Sequence, residues 1–382
     1  MAPAVILLSH GFAVEYECAF ANALARNGVA VTLIASDETL LRRLEPAVRV
    51  LNYRGSQDPK RTRADKASTV LGYIARYFLL LLRTRGQPVH MIGMFTTSNL
   101  WVSLVEAWCT RWLAGRYAMT VHNLMPHDRH TRRNRWLMRG IYRSAAVCMV
   151  HTQKMGSALH SDFGVPLQRI MVVEHGIDRL LLQQPGQPRQ ALRRRLALPE
   201  SGPVVLFFGA VAPYKGLDVL LPAMDIVRQT CPAVLVVAGR CRDAALMAWM
   251  KTEMGARVAA GAAFWFDGYW PDDEMPLIFQ AADLVVMPYR YIDQSGVVFM
   301  ALATGVPVVA SDVGSLAAYI EPPGCTVTPG AVHELAAAIV RVLAAPRPAP
   351  DVAQVSAERH LWSRTVVPMI GAYRQVWPGW GG

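Results

Sequence analysis

The stretch Val204-Val205-Leu206-Phe207-Phe208-Gly209-Ala210-Val211-Ala212-Pro213-Tyr214-Lys215-Gly216-Leu217-Asp218 decides the architecture. A short apolar run ends at Gly209, a loop follows that holds Pro213 and the single cation Lys215, and a helical pattern begins after Gly216 and runs over Leu217–Gln229. The run reads as a strand, and strand, loop, helix in a repeating order means a parallel sheet with crossovers. The loop sets Lys215 beside the free N–H groups of a helix start, a place suited to phosphate. On spacing alone, Lys215 reads equally well as a solvated loop lysine.

Outward from this stretch the same alternation repeats. Strands are expected at Val234–Gly239, Ala263–Phe266, Leu284–Pro288, Val308–Ala310 and around Cys325–Val327, and helices at Ala244–Met254, Glu274–Ala281, Val298–Thr304 and Val332–Leu343. The first half alternates too, with strands at Val5–Leu8, Val29–Ala35, Val89–Met94, Tyr117–His122, Val147–Thr152 and Ile170–Val173, and helices at Glu17–Asn27 and Asn99–Ala114. Gln183-Gln184-Pro185-Gly186-Gln187-Pro188 is a turn-rich linker between the halves. The fold class is therefore α/β, with two doubly wound Rossmann-like domains, 1–175 and 176–360. The Pro-rich segment Ala345–Pro350 is expected to end the last helix of the second domain, and amphipathic His360–Trp377 to form a helix crossing back to the first, within a terminal segment 361–382. In such sheets ligands sit at the carboxyl ends of the strands, so two domains face to face enclose a cleft.

Composition narrows the function classes. Of 382 residues 53% are hydrophobic and 18% charged, enough apolar side chains for two large cores. The first strand lacks a basic leader, and Tyr73–Leu82, broken by Arg76, is far short of a bilayer span, so neither export nor a membrane-crossing helix is expected. Six scattered cysteines without a CxxC pair argue against zinc and against a disulfide framework, and favour a cytoplasmic setting. The net charge of +11 sits wholly in residues 1–175, which hold 22 Lys and Arg against 11 Asp and Glu, while the remainder holds 17 against 17. One run, Arg129, Arg132, Arg133, Arg135, Arg139 and Arg143, is interleaved with Trp136, Leu137 and Ile141. A solvated face, an anionic membrane or diphospholipid surface and nucleic acid all fit it. Aromatic rings beside arginine suit the membrane interface, and no helix-turn-helix, RNP or zinc-finger pattern accompanies the charge.

A second motif, Met287-Pro288-Tyr289-Arg290-Tyr291-Ile292-Asp293-Gln294-Ser295-Gly296-Val297, delivers Gln294, Ser295 and Gly296 from a strand end to the start of a helix. Consecutive N–H groups there bind a diphosphate without a metal, and Gly296 lets a ligand approach the backbone. An ordinary serine N-cap is the plainer reading of the same residues.

With Gly209 to Asp218, Tyr289-Arg290 and Gln294-Ser295-Gly296, and Thr304-Gly305-Val306-Pro307-Val308-Val309-Ala310-Ser311-Asp312-Val313-Gly314, the second half resembles the donor domain of family 4 of the retaining glycosyltransferases. In the first half Thr120-Val121-His122-Asn123-Leu124-Met125-Pro126-His127-Asp128 is similar to that family's histidine strand end, and Val173-Glu174-His175-Gly176-Ile177-Asp178 to its interdomain turn. The resemblance implies a GT-B fold, a nucleotide-sugar donor, retention at the anomeric carbon and no metal or other cofactor. It makes His122 a catalytic residue near the donor sugar, Lys215 the diphosphate clamp, and Gly11 the glycine of the loop where acceptor and donor phosphates meet. Gly209, Arg240, Tyr289, Arg290, Gln294, Ser295, Gly296 and Val297 complete the expected donor site. Arg129, Arg132, Arg133, Arg135, Trp136 and Arg139 are expected to face a lipid-linked or oligosaccharide acceptor and an anionic membrane. The family's Glu-x7-Glu motif falls on Ile292 and Met300, neither acidic, as in a subgroup with Gln-Ser-Gly-Val. Its loop arginine is replaced by Ala210 or Ala212, leaving Arg240 or Arg290 to supply the charge, and Asp293 and Asp128 are carboxylates to test as nucleophiles. The expected activity is hexosyl transfer from a UDP- or GDP-sugar to a polyprenyl-diphosphate glycan in polysaccharide assembly. A noncatalytic GT-B partner and a sugar-nucleotide epimerase are the alternatives.

Overall fold

The computed structural model describes residues 3–9, 14–58, 60–96, 99–125, 131–179, 187–271, 274–347 and 349–381. They form two compact units, one of Met1–Gly176 with His360–Gly382 and one of Ile177–Arg359.

In the second unit six strands, β8 (Val204–Phe208), β9 (Val234–Ala238), β10 (Ala263–Phe266), β11 (Leu284–Met287), β12 (Val308–Ser311) and β13 (Cys325–Val327), make one parallel sheet in the order β10-β9-β8-β11-β12-β13. Every residue of β8 is buried, with Val204, Leu206 and Phe208 in one core and Val205 and Phe207 in another on the opposite face. This explains the unbroken apolar run Val204–Phe208: a central parallel strand covered by helices on both sides has no polar face. Truncating Phe207 to Ala would cost about 3–5 kcal/mol. The helices are α6 (Arg189–Arg195), α7 (Leu217–Val227), α8 (Ala244–Ala259), α9 (Met275–Ala281), α10 (Gly296–Ala303), α11 (Val332–Ala344) and α12 (Pro350–Arg359). The last of these corrects an expectation. The Pro-rich segment ends α11, but Pro350 starts a further helix, as a residue without an N–H to lose in the first turn does.

The first unit holds β1 (Ala4–Leu8), β2 (Ala30–Ala35), β3 (Val48–Asn52), β4 (Val89–Met91), β5 (Ala118–Thr120), β6 (Val147–Val150) and β7 (Ile170–Val172), all parallel in the order β3-β2-β1-β4-β5-β6-β7. Its helices are α1 (Val14–Arg26), α2 (Arg63–Arg83), α3 (Leu100–Ala114), α4 (Arg132–Ser144) and α5 (Gln153–Phe163). The sequence reading omits β3, a short strand whose Arg49 and Asn52 break the apolar pattern, and gives α2 no element. That helix starts at Thr62, whose hydroxyl oxygen accepts the Asp65 N–H, and buries Tyr73, Tyr77 and Leu81 at a four-residue spacing along one face.

The expected single helix over His360–Trp377 is two: α13 (Trp362–Thr365) and α14 (Val367–Val376). Pro368 fits only the first turn of a helix, so the chain restarts there. Both pack into the first unit, where Trp362, Met369, Ile370 and Tyr373 share a core with Phe20, Leu24 and Val173.

Candidate functional site

In the second unit the sheet order reverses between β8 and β11, which sets the loops after these two strands side by side. They interlock. The Arg290 N–H donates to Tyr214 O (2.7 Å), its guanidinium donates to Pro213 O (2.8 Å), and it forms a two-pronged pair with Asp218 (2.9 and 2.5 Å). That guanidinium holds the Asp218 carboxyl below the usual carboxylate range. Arg290 therefore ties the lysine loop to the tyrosine strand end and spends its charge on Asp218. Arg240, at the end of β9, is exposed.

Lys215 closes a 3-10 turn over Pro213–Lys215 and is buried. Its ammonium lies 3.5 Å from Phe208 O and 5.2 Å from the centre of the Tyr289 ring, and among the described residues it pairs with no carboxylate. Burial without a counter-charge pulls its pKa down from the ordinary lysine value to about 8. A Cβ on Gly209 would stand 2.7 Å from the Lys215 Nζ and 3.8 Å from Val297 Cγ2, so the strand end, the ammonium and the first turn of α10 meet at one place. Gly209 also has φ +98°, in the left-handed region where a side chain is strained.

At the start of α10 the Ser295 hydroxyl oxygen accepts the Val297 N–H at 3.4 Å. The helix begins two residues earlier than its apolar pattern indicates, because Ser295 supplies the cap. Tyr289, wholly buried, has its hydroxyl beside Ser295. The buried Gln294 Nε2 has no hydrogen-bond acceptor among the described residues. A Cβ on Gly296 would meet nothing within 4 Å, and its φ is ordinary, so neither packing nor backbone conformation requires glycine there. The positions of the missing acids are apolar in use: Met300 is buried in the core of the sheet, and Ile292 O packs against Gly314, where a Cβ would come within 1.9 Å.

In the first unit His122 follows β5. Its Nε2–H donates to Ile92 O at 2.8 Å, which leaves Nδ1 as the ring's acceptor. The Tyr16 ring packs against it nearly perpendicular, at 81°, with centroids 4.6 Å apart. Around Tyr16 stand His151, His175 and Trp362, at 5.7, 5.5 and 5.2 Å between centroids. His151 donates from Nδ1 to Val173 O (2.9 Å), so its Nε2 accepts the Tyr16 hydroxyl at 3.2 Å. Beneath them His90 contacts Tyr373 through Nδ1 and Thr120 Oγ1 through Nε2 (2.8 Å). Burial depresses all four imidazoles, His90 and His175 to about 3, so the cluster is neutral at pH 7. Gly176 is required by contact: a Cβ would lie 2.4 Å from Trp362.

In the sequence His122 stands out as a site residue, whereas Tyr16, His151 and Trp362 do not, and His175 enters only as part of the interdomain turn. One signal for His151 is present, since Val121-His122 and Val150-His151 end neighbouring strands paired with Thr120 opposite Met149. Gly11, Asp128 and Arg129 lie outside the described residues, as do 183–186 of the linker. Arg132, Arg133, Arg135, Trp136 and Arg139 are exposed on α4, with Arg135 3.7 Å from Asp162. Among the described residues no cluster of three or more His, Cys, Asp or Glu is placed to hold a metal, and no helix is long and apolar enough to cross a membrane.

Comparison with known proteins matches this division of the chain. The family model for Glycosyltransferase Family 4 matches residues 15–179, and that for Glycosyl transferases group 1 matches residues 202–345. The chain carries the two domains of a GT-B glycosyltransferase. Among relatives of this glycosyltransferase, the 2-deoxystreptamine glucosyltransferase of Streptomyces kanamyceticus is 29% identical over 298 residues, which span 72% of this chain and 73% of the relative. Sucrose-phosphate synthase from Thermosynechococcus elongatus superposes with a TM-score of 0.74 at 19% identity, covering 98% of this chain and 99% of that one. Anabaena Alr3699/HepE, solved in complex with UDP-glucose, gives 0.70 at 17% identity over 97% and 100%. At these identities the structural likeness is one of fold: two parallel sheets, of seven and six strands, flanked by helices in the GT-B manner.

Proposed function

We propose that this protein transfers a hexose from a UDP- or GDP-sugar to a lipid-linked glycan, with retention at the anomeric carbon and without a metal ion. The observation that carries the reading is Lys215: a buried ammonium with no carboxylate beside it among the described residues, at the first turn of α10, where Gly296 leaves open space and the Gln294 amide has no acceptor among the same residues. A desolvated cation next to free helix N–H groups binds a diphosphate, and these groups stabilise the charge that develops on it as the bond to the sugar breaks. Neutral His122 offers Nδ1 to a sugar hydroxyl. Tyr16 steadies the His122 ring.

In this reading the acceptor is a polyprenyl-diphosphate glycan of polysaccharide assembly, met at the inner face of the plasma membrane by a cytoplasmic protein that attaches through the arginines of α4. The test is calorimetric titration of UDP- and GDP-sugars into the wild type and Lys215→Ala, followed by transfer assays with the donor that binds. Binding of one donor that the substitution abolishes supports the reading. Folded protein that binds none of them refutes it.

A further inference from the structure

We propose that the outer faces of α3 and α4, with the groove between their C-terminal halves, form a platform that seats on an anionic phospholipid bilayer. The proposal rests on the membrane reading above and deepens it, because it moves the contact from the arginines of α4 to a row of tryptophans on α3.

Trp101, Val105, Trp108 and Trp112 fall at i, i+4, i+7 and i+11, one stripe of α3, and that stripe points outward: their exposures are 45%, 59%, 61% and 76%. The buried face of α3 is a different set, Leu100, Ser103, Leu104, Ala107, Thr110 and Leu113. Trp136 on α4, 61% exposed, approaches Trp101 with centroids 5.9 Å apart. The two helices come close because Gly140 faces Leu104, where a Cβ would be 2.9 Å from a methyl. Their outer surfaces therefore merge into one. Along the seam runs a groove of about 980 Å3, lined by Trp108, Trp112 and Trp136 with Arg85, Arg139 and Arg143. Next to α3, α2 adds exposed Leu79 and Leu82.

Large apolar patches on soluble proteins mark contact sites, and this one has a definite chemistry. Exposed indole rings partition to the headgroup layer, where an apolar body and a polar N–H are both satisfied. The cations around the groove are arginines, suited to forked hydrogen bonding with phosphate. Among the described residues Arg85, Arg139 and Arg143 pair with no carboxylate. An anionic bilayer supplies both halves at once, phosphate at the rim and acyl chain below. Nucleic acid would match the arginines but leave Val102, Val105, Leu79 and Leu82 without a partner.

The experiment is co-sedimentation of the whole protein with phosphatidylcholine vesicles, with and without phosphatidylglycerol. The variants are Trp108→Ser/Trp112→Ser, Arg85→Glu/Arg143→Glu and Arg132→Glu/Arg135→Glu. The tryptophan pair is exposed, so its thermal midpoint and donor binding stay those of the wild type. The expected result is wild-type binding that requires phosphatidylglycerol, a loss of about tenfold or more in the tryptophan variant, and loss of the lipid preference in Arg85→Glu/Arg143→Glu. If the tryptophan variant binds as the wild type does while Arg132→Glu/Arg135→Glu does not, the platform is wrong and attachment through α4 stands. If the wild type binds no vesicle, both fail. A dimer that dissociates in the tryptophan variant, or salt-sensitive binding of RNA by a wild type that ignores vesicles, gives the face to a second copy or to nucleic acid and overturns the proposal.

Discussion

The two units place their chemistry differently. In the second unit it rests on backbone and one cation, with Lys215, the start of α10 and two glycines meeting where the sheet order reverses. In the first it rests on packed rings, with Tyr16 among three histidines and a tryptophan brought from the far end of the chain. A site made of backbone tolerates change around it and fails when its one charge or its open space is lost. A site made of rings fails by displacement, with no charge involved.

The largest effect is expected at the cation. Lys215→Ala should weaken donor binding about 30-fold or more, on the scale of 2–5 kcal/mol for truncating a buried charge that meets a ligand charge. Lys215→Arg should not restore it, since a planar fork is larger than the ammonium that lies buried between Phe208 O and the Tyr289 ring. Calorimetry with the cognate donor reads both. A next step separates space from strain. Gly209→Ala introduces a side chain at φ +98° against Nζ, so it should lower stability by about 1–2 kcal/mol as well as donor affinity. Gly296→Ala should leave the melting temperature unchanged or slightly raised, and weaken the donor alone. Equal donor affinity in Gly296→Ala and wild type would remove the helix start from the site.

Titration distinguishes the units again. Lys215 must be charged to hold a diphosphate, and its pKa is about 8, so donor affinity should fall as pH rises above 8 and be flat in Lys215→Ala. The histidines act at the other end of the scale. His90 and His175 are pulled to about 3 when folded against an ordinary 6.5. Below pH 6.5 the unfolded chain takes up protons that the folded one refuses, so stability drops as pH falls, by about 2 kcal/mol per ring at pH 5. Urea midpoints at pH 7.5 and pH 5 in a Glu17→Gln background, which removes a buried carboxyl whose pKa of about 7 works in the opposite direction, check this, and equal midpoints there would mean the rings are not held neutral. The smallest effect is assigned to Tyr16→Phe, which removes one hydrogen bond to His151, about 1 kcal/mol. Turnover should drop severalfold with donor affinity unchanged, and a shift in donor affinity instead would make Tyr16 part of the binding site.

This contrast also accounts for what could be read from the chain before folding. Runs such as Val204–Phe208 and Leu284–Met287 are legible because both faces of a central parallel strand are buried, so every residue must be apolar. Lys215, Ser295 and Gly296 are legible because loop and helix start are consecutive in sequence. The ring cluster is not, because Tyr16, His151 and Trp362 are brought together only by the sheet order and by α13, and an isolated histidine or tyrosine carries no period. Strand β3 escapes notice because its exposed Arg49 and Asn52 read as loop. The start of α10 was set by a hydroxyl cap, which hydrophobic spacing does not encode. Arg290 is one of two candidates in the sequence for the missing loop charge, and only the fold shows that its guanidinium is held by Asp218, in the first turn of α7.

The contact of Trp362 with Gly176 sets an order of events during synthesis. Residues 360–382 belong to the first unit but leave the ribosome only after all of Ile177–Arg359. Until then Phe20, Leu24 and Val173 lack their covering of Trp362, Met369 and Tyr373. The second unit, contiguous in the chain, is free to fold first, and the first must wait with part of its core open. A chain stopped at Arg359 would keep the six-stranded sheet of the second unit and stay a client of chaperones.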